Sequence, residues 1–380
     1  MKMFVTSLAL GAIASAAALS VAHADANDRF GGQGQHAVFV MTNDADSNEV
    51  VAYERTPYGT LHSARKYETG GRGSGGTVDP LGSQGSLTLS DDGSWLFAAN
   101  AGSGSVSVFR VFGSRLLLSD RVPTGGSEPN AVAQHGKLVY VLNTAGSSSV
   151  VGFVLRGDGQ LNRIPGSLRF LSGNFVNSGS VAFSEDGRYL VVTERATNSI
   201  DVFKVQGDGK LSPITVNPSA GPGAFSATFA RNGAVLVSET GGGGPNSSAI
   251  SSYSVAADGK LLPISTSVPT LGAANCWNVV TPDGKFVYTS NAGTSSISGF
   301  SIKANGALVP LQSTVVGVNP AGSANLDIAV SSDGRFLYSL NAASGAVGMF
   351  QIQPADGSLV NLGTLAGLPA GAGLNGIAAN

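Results

Sequence analysis

Short apolar runs separated by glycine turns recur along the chain, and their two-residue alternation predicts strands rather than helices. The turns fall at Asp92-Gly93, His135-Gly136, Asp186-Gly187, Asn232-Gly233, Asp283-Gly284 and Asp333-Gly334, and the glycines are 43, 51, 46, 51 and 50 residues apart. Asp-Gly and Asn-Gly suit tight hairpins because glycine, Asn and Asp tolerate positive φ best. Before each turn lies a strand of small and apolar residues, at 86–90, 131–134, 180–184, 226–230, 278–281 and 327–331. A second strand follows each turn: WLFAAN (95–100), LVYVLN (138–143), YLVVTE (189–194), VLVSE (235–239), FVYTSN (286–291) and FLYSLN (336–341). AVFVMTN (37–43) supplies a seventh copy at the front. A third strand carries an aromatic at Tyr53, Phe109, Phe153, Phe203, Tyr253, Phe300 or Phe350, which fits the packing of one sheet on the next. A fourth begins with a G-x-L pattern in most copies, as at 59–61, 159–161 and 209–211.

Four strands per unit of about 48 residues match a propeller blade and exceed a solenoid coil. The expected fold is therefore all-β, a seven-bladed β-propeller of four-stranded blades. Small residues suit the innermost strands, which crowd around a central channel. The chain ends in GIAA (376–379), an inner strand with no turn behind it, while AVFVMTN has no inner strand ahead of it. The C-terminus is thus expected to complete the N-terminal blade, a closure that removes open sheet edges.

Composition narrows the class further. Charged residues are only 12% and glycines number 53, a balance that favours short strands and turns over helices with a charged wet face. Net charge is −2 with no basic run, which argues against nucleic acid. Lys2, the apolar run Phe4 to Val21 and the A-x-A site Ala22-His23-Ala24 read as a secretory signal over residues 1–24. Residues 25–380 then form one domain, periplasmic or secreted, with no membrane span once the signal is removed. Cys276 is the only cysteine, so no intrachain disulfide forms.

The two faces of such a ring are not equivalent. The Asp-Gly turns punctuate one face; the second-to-third-strand turns and the links between blades gather on the other, around the channel mouth, where loops sit on a rigid scaffold. The last residue of the second strand is Asn100, Asn143, Asn291 and Asn341 in four blades, an asparagine expected to hydrogen-bond its own backbone and shape the next turn. In the fourth blade the place is taken by Glu194, followed by Arg195, and in the fifth by Glu239. A carboxylate beside a guanidinium suits a general base with an anion partner, so Glu194 and Arg195 are the candidate catalytic pair; a surface ion pair is the plainer alternative. The links entering the inner strands hold a second polar set, with Gln84, Glu128, Asn275, Cys276, Trp277 and Asp327 as candidate substrate-binding residues. Trp277 is either the apolar wall of a pocket or a wedge between blades.

Other chemistries find less support. A Cys276 nucleophile needs a base, yet His36, His62 and His135 lie at the wrong end or on an outer strand. No clustered His/Cys spacing indicates zinc. Asp44 to Asn48 has a faint calcium-loop look, but Glu49 stands where the loop needs glycine. No metal or cofactor is expected. The Gly-rich stretch 70–85 lacks the order of a phosphate loop and precedes no helix; it reads as a long link between the first two blades, with Arg72 and Asp79 able to lean over the mouth.

Three stretches carry a resemblance: AFSEDGRYLVVTERATNSIDVFKV (182–205), VTPDGKFVYTSNAGTSSISGF (280–300) and AVSSDGRFLYSLN (329–341). They resemble the seven-bladed propeller lactonases, which include 6-phosphogluconolactonases and carboxymuconate-lactonizing enzymes, and the similarity extends over the chain after the signal. It implies metal-free opening or closing of a lactone of a small organic acid, and it matches Glu194 to a family Glu after the second strand of a middle blade. Where the family carries histidines entering the inner strands, this chain has Gly85, Glu128, Gly179, Phe225, Cys276 and Leu326. The expected partner is a small organic acid or lactone at the mouth of a monomer. The alternative is a non-catalytic propeller that binds a ligand or an envelope protein.

Overall fold

A computed structural model describes residues 36–380. The signal segment 1–24 and the proposed start at Asp25 lie outside the described residues.

Seven antiparallel sheets form the blades, and six of them are built outward from the channel in chain order. Blade 2 runs Leu87–Leu89, Trp95–Asn100, Ser105–Phe112, Arg115–Pro123; blades 3 to 7 repeat the plan, ending with Leu359–Ala366. Blade 1 is assembled from both ends of the chain. Ile377–Ala379 forms its inner strand and pairs with His36–Met41, matching Val38 to Ala379 and Val40 to Ile377. The ring is closed as the sequence predicts.

The second strands match their expected positions because they are short, mostly apolar runs buried on both faces, as in Trp95–Asn100 and Phe336–Asn341. The inner strands differ. They start two or more residues earlier than the small-residue runs suggest, at Ser127, Ser178, Ala224, Asn275 and Asn325. Each then carries a register shift, between Pro129 and Ala131, Ser178 and Ser180, Ala224 and Ala227, Asn275 and Trp277, and Asn325 and Ile328. Such bulges bend a strand and re-aim its side chains, and these sit at the channel mouth. Blade 3 departs in another way: its outer strand is split into Leu161–Arg163 and Arg169–Phe170. Pro165 lies in the gap, with no N–H to continue the ladder.

Neighbouring blades bury apolar clusters between them, such as Val106, Val108, Val141 and Phe153 between blades 2 and 3. The third-strand aromatics are the anchors: Phe109, Phe153, Phe203, Tyr253, Phe300 and Phe350 are all fully buried, each contributing about 2–3 kcal/mol of burial. Tyrosines add polar tethers from blade to blade. Tyr140 donates to the Gly209 carbonyl at 2.7 Å, Tyr288 to Gly357 at 2.7 Å and Tyr338 to Gly59 at 2.9 Å. The last of these spans the seam between blades 7 and 1.

Candidate functional site

The link from blade 1 to blade 2 does more than bridge them. Its end, Asp79 to Gly85, crosses the channel. The Ser83 hydroxyl donates to the Asn130 carbonyl of blade 3 at 2.7 Å, and the Gln84 N–H to Gly179 of blade 4 at 2.8 Å. On the far side Gln84 is held at both ends of its amide: Nε2 donates to the Asn278 carbonyl at 2.7 Å, and Oε1 accepts the Asn278 N–H at 3.0 Å. The indole N–H of Trp277 reaches the Ser83 carbonyl at 2.8 Å. Trp277 is fully buried, with its ring edge-on to Phe225 at 5.1 Å between centroids. It is the wedge of the two roles the sequence left open, and it clamps the link.

Asp79 begins this crossing segment and sits largely buried at the mouth with φ +48°, a left-handed conformation that an Asp tolerates better than most residues. Its Oδ1 accepts from Asn375 Nδ2 at 3.1 Å, so the closing C-terminal segment holds it in place. Burial pushes its carboxyl up to about 7, while Arg195 and the bonds from Asn375, Gly82 and Ser83 pull the other way. The Arg195 guanidinium lies over the Phe225 ring, 5.4 Å from the centroid, and makes no salt bridge among the described residues. A cation half-exposed on an aromatic face, with no carboxylate bound to it, is a ready anchor for an anion.

The remaining candidates divide between this cluster and other places. Cys276 is buried beside it; burial and the Asp79 charge raise the thiol well above its ordinary value, against a weaker opposing pull from Arg195. It is therefore a neutral wall of the mouth. Asp327 is 2% exposed, and burial pushes it up to about 8 although the N–H groups of Ile328 and Ile377 bond it. Asn275 is fully buried and ties blade 6 to blade 5 through the Ala249 carbonyl at 2.7 Å. Glu128 is exposed on the approach to blade 3 at φ +50°.

Glu194 does not pair with Arg195. It is 0% exposed, and its carboxylate accepts the Ser172 N–H at 2.9 Å, the Ser172 hydroxyl at 2.5 Å and the Thr197 hydroxyl at 2.5 Å. The asparagines at the same place are likewise buried hubs rather than turn-shapers. Asn100 donates to Ser105 and Ser107 of the third strand and accepts from Thr69 of the preceding link, and Asn143 accepts from Thr124. A recurring Thr-x-Gly, at 69–71, 124–126 and 270–272, is the sequence signal for this hub. A Cβ on Gly71, Gly126 or Gly272 would fall within 2.4, 2.5 or 2.3 Å of the asparagine side chain.

The two larger cavities among those on the described residues open on the opposite, Asp-Gly face. One of about 600 Å³ lies inside the bore, between Gln84, Thr88, Gln134, Phe183 and Thr228; the other, about 540 Å³, is a cleft among the turns of blades 4 to 6. The polar groups lining the bore already have partners within the protein: Thr228 bonds Asn278, Thr88 bonds Gly85 and Val132, and Gln134 bonds Gly136. The Asp44 loop is also closed on itself, its carboxylate accepting the N–H groups of Asp46 and Ser47. Among the described residues no group of three His, Cys, Asp or Glu could hold a metal ion.

Comparison with known proteins agrees with the architecture. No curated protein matches the sequence. Solved structures do match in fold. A proposed 6-phosphogluconolactonase of Bacteroides uniformis superposes with a TM-score of 0.68 at 19% identity, over 91% of this chain and 100% of that one. The periplasmic gluconolactonase of Pseudomonas aeruginosa gives 0.66 at 19% identity, over 90% and 99%. A proposed 6-phosphogluconolactonase of Bacteroides fragilis gives 0.65 at 18%, over 90% and 98%. The family model for lactonases with a 7-bladed β-propeller matches residues 35–178, 165–279 and 278–372, nearly the whole described ring, and the chain belongs to that family.

Proposed function

We propose that this propeller opens the lactone of a small organic acid at the mouth of its channel, with Asp79 as general base and Arg195 as anion partner. One observation carries the reading: the Asp79 carboxyl, held by Asn375, shares the mouth with the Arg195 guanidinium, which lies on the Phe225 ring without a salt bridge among the described residues. Ionised Asp79 takes a proton from water, and the resulting hydroxide adds to the lactone carbonyl carbon. Arg195 steadies the charge that develops on the carbonyl oxygen. The ring C–O bond then breaks, the proton passes to the departing alkoxide, and a hydroxy acid leaves. Glu194, the base expected from the sequence, has both oxygens engaged inside blade 4, so it supports the site from beneath rather than touching substrate.

The periplasm is the compartment this reading favours. The A-x-A site after an apolar run supports export, and the similar Pseudomonas aeruginosa protein is a periplasmic gluconolactonase. Among the described residues no helix is long and apolar enough to cross a membrane.

Turnover across a panel of five- and six-membered sugar-acid lactones, followed by acid release, tests the proposal. Arg195→Met keeps the stem on Phe225 and removes the charge; it is expected to lower kcat/KM about 100-fold or more. Wild-type protein that opens no lactone, yet binds one of the panel with an affinity that Arg195→Met abolishes, would favour the non-catalytic binding propeller instead.

A further inference from the structure

The hub at the end of the second strand follows one rule in several blades: a hydrogen bond joins it to the third-strand residue two places in from the turn. In blade 2 Asn100 Nδ2 donates to Ser107 Oγ at 2.8 Å, and in blade 6 Asn291 Nδ2 donates to Ser298 Oγ at 2.8 Å. Blade 5 has a carboxylate, which cannot donate, and the direction reverses: Ser251 Oγ donates to Glu239 Oε1 at 2.6 Å. In blade 4 the two places hold Glu194 and Asp201, and both are 0% exposed. The preceding link offers Leu171 where other blades offer Thr69, Thr124 or Thr270, so Ser172 and Thr197 supply hydroxyls to Glu194 instead. With both groups ionised, and so only accepting, neither buried oxygen of Asp201 has a hydrogen-bond donor that meets normal geometry. Two ionised carboxylates side by side, out of water, would repel strongly.

We propose that Asp201 carries a proton and donates it to Glu194, so that blade 4 is tied by a carboxylic acid–carboxylate bond where its neighbours use an amide or a hydroxyl. Glu194 in turn holds Ser172, in the link entering blade 4, and Thr197, in the turn that presents Arg195. Loss of the shared proton at alkaline pH would therefore loosen both segments. The effect on Arg195 rests on the reading of the mouth given above; the proton itself does not.

The surroundings offer no free ionisable side chain as another source of that proton. The inner strand Ser178–Phe183, the outer strand Thr215–Pro218, the inner strand Ala224–Phe229 of blade 5 and the link 171–177 contain no ionisable side chain. Of the charged and titratable groups on packed elements, Glu239 is bonded to Ser251, Ser267 and the Gly221 N–H. Lys204 is exposed at the far end of the third strand, Arg169 is spent on carbonyls such as that of Leu211, Arg195 lies over Phe225, and the hydroxyl of Tyr140 bonds Gly209. Titration behaviour agrees. Burial, then the bond and charge of Glu194, push Asp201 up to about 9 against a weaker opposing pull from the Ser172 N–H, while Glu194, despite its burial, is held below its ordinary value by Asp201, Ser172 and Thr197.

Infrared spectroscopy of the full chain at pH 7 reads the proton directly, as the C=O band of a protonated carboxyl. Asp201→Asn should lose one carboxyl from that band. Glu194→Gln leaves Asp201 buried and replaces its charged acceptor by a neutral amide oxygen, so the Asp201 band should persist and shift in frequency. An unchanged band in folded Asp201→Asn overturns the proposal. So does a wild-type melting temperature that calcium raises and a chelator lowers, since a cation would then bridge the pair. Should neither variant fold, wild-type difference spectra decide: one carboxyl must vanish with a midpoint near pH 9, and its absence contradicts the proposal.

Discussion

Trp277 in the inner strand of blade 6 donates its indole N–H to the Ser83 carbonyl at 2.8 Å, and so a side chain on one side of the channel holds the link that crosses from the other. The bond is buried on the indole side. Asp79 stands four residues before Ser83, so the clamp fixes the candidate base as well as the link. Trp277→Phe keeps the aromatic packing on Phe225 and removes the donor. It is expected to cost about 1–3 kcal/mol, because a buried carbonyl is left unpaired, and to lower lactone turnover. Urea unfolding and kinetics measure the two effects, and unchanged values in both would show that the clamp is idle.

Ring closure makes a harsher prediction. Removing 374–380 takes away the strand that pairs with His36–Met41 and also Asn375, which holds Asp79. The exposed edge of His36–Met41 is then free to pair with other chains. The truncated protein should aggregate or lose cooperative melting, and a wild-type melting curve would refute the closure.

The seam between blades 7 and 1 can be probed more gently. Tyr338→Phe removes only the hydroxyl that bonds the Gly59 carbonyl at 2.9 Å, with an expected loss of about 1–2 kcal/mol. Tyr140→Phe, between blades 3 and 4, removes the equivalent bond at 2.7 Å. The two sites share no partner, so the double variant should show an additive loss within about 0.5 kcal/mol.

Stability should peak in acidic solution. Burial pushes Asp79 up to about 7, Asp327 up to about 8 and, with Glu194, Asp201 up to about 9. The folded chain thus holds protons there that an unfolded chain has released above its ordinary value of 3.8, and this contribution is lost as pH rises through 7, 8 and 9. Asp186 works in the opposite sense. Its bonds to Ser184 and Arg188 outweigh its burial and take it down to about 2, so its contribution is present above 3.8 and lost as pH falls towards 2. Melting temperatures measured across pH should be highest near pH 4, where the lowered carboxyls are ionised and the unfolded chain has not yet released the protons of the raised ones, and fall steadily towards pH 9. A maximum above pH 8 would contradict the assignment of buried protonated aspartates.

The ring was legible in the sequence because its signals are local and repeated: Asp-Gly turns, short and mostly apolar second strands such as FLYSLN (336–341), and a third-strand aromatic that packs between blades. The unpaired GIAA gave away the closure. The site was legible only in part. Arg195 could be named, because a charged residue in a charge-poor chain stands out. Asp79 could be placed near the mouth but not singled out as the candidate base, since its shift depends on burial by a link whose path across the channel no periodic pattern encodes. Glu194 drew attention as a carboxylate in a ring of asparagines. Its meaning lay in Asp201, seven residues on, where the repeat has Ser107 and Ser298.

The pH dependence of kcat/KM for lactone opening, in wild type and in Asp79→Asn, tests the assignment of the mouth most directly. A base must be ionised to act, so wild-type kcat/KM should rise with pH and level off above an apparent pKa near 7. Asp79→Asn should lose about 100-fold or more in rate and with it that ascending limb. Wild-type-like turnover in folded Asp79→Asn, with the limb near pH 7 intact, would contradict the account.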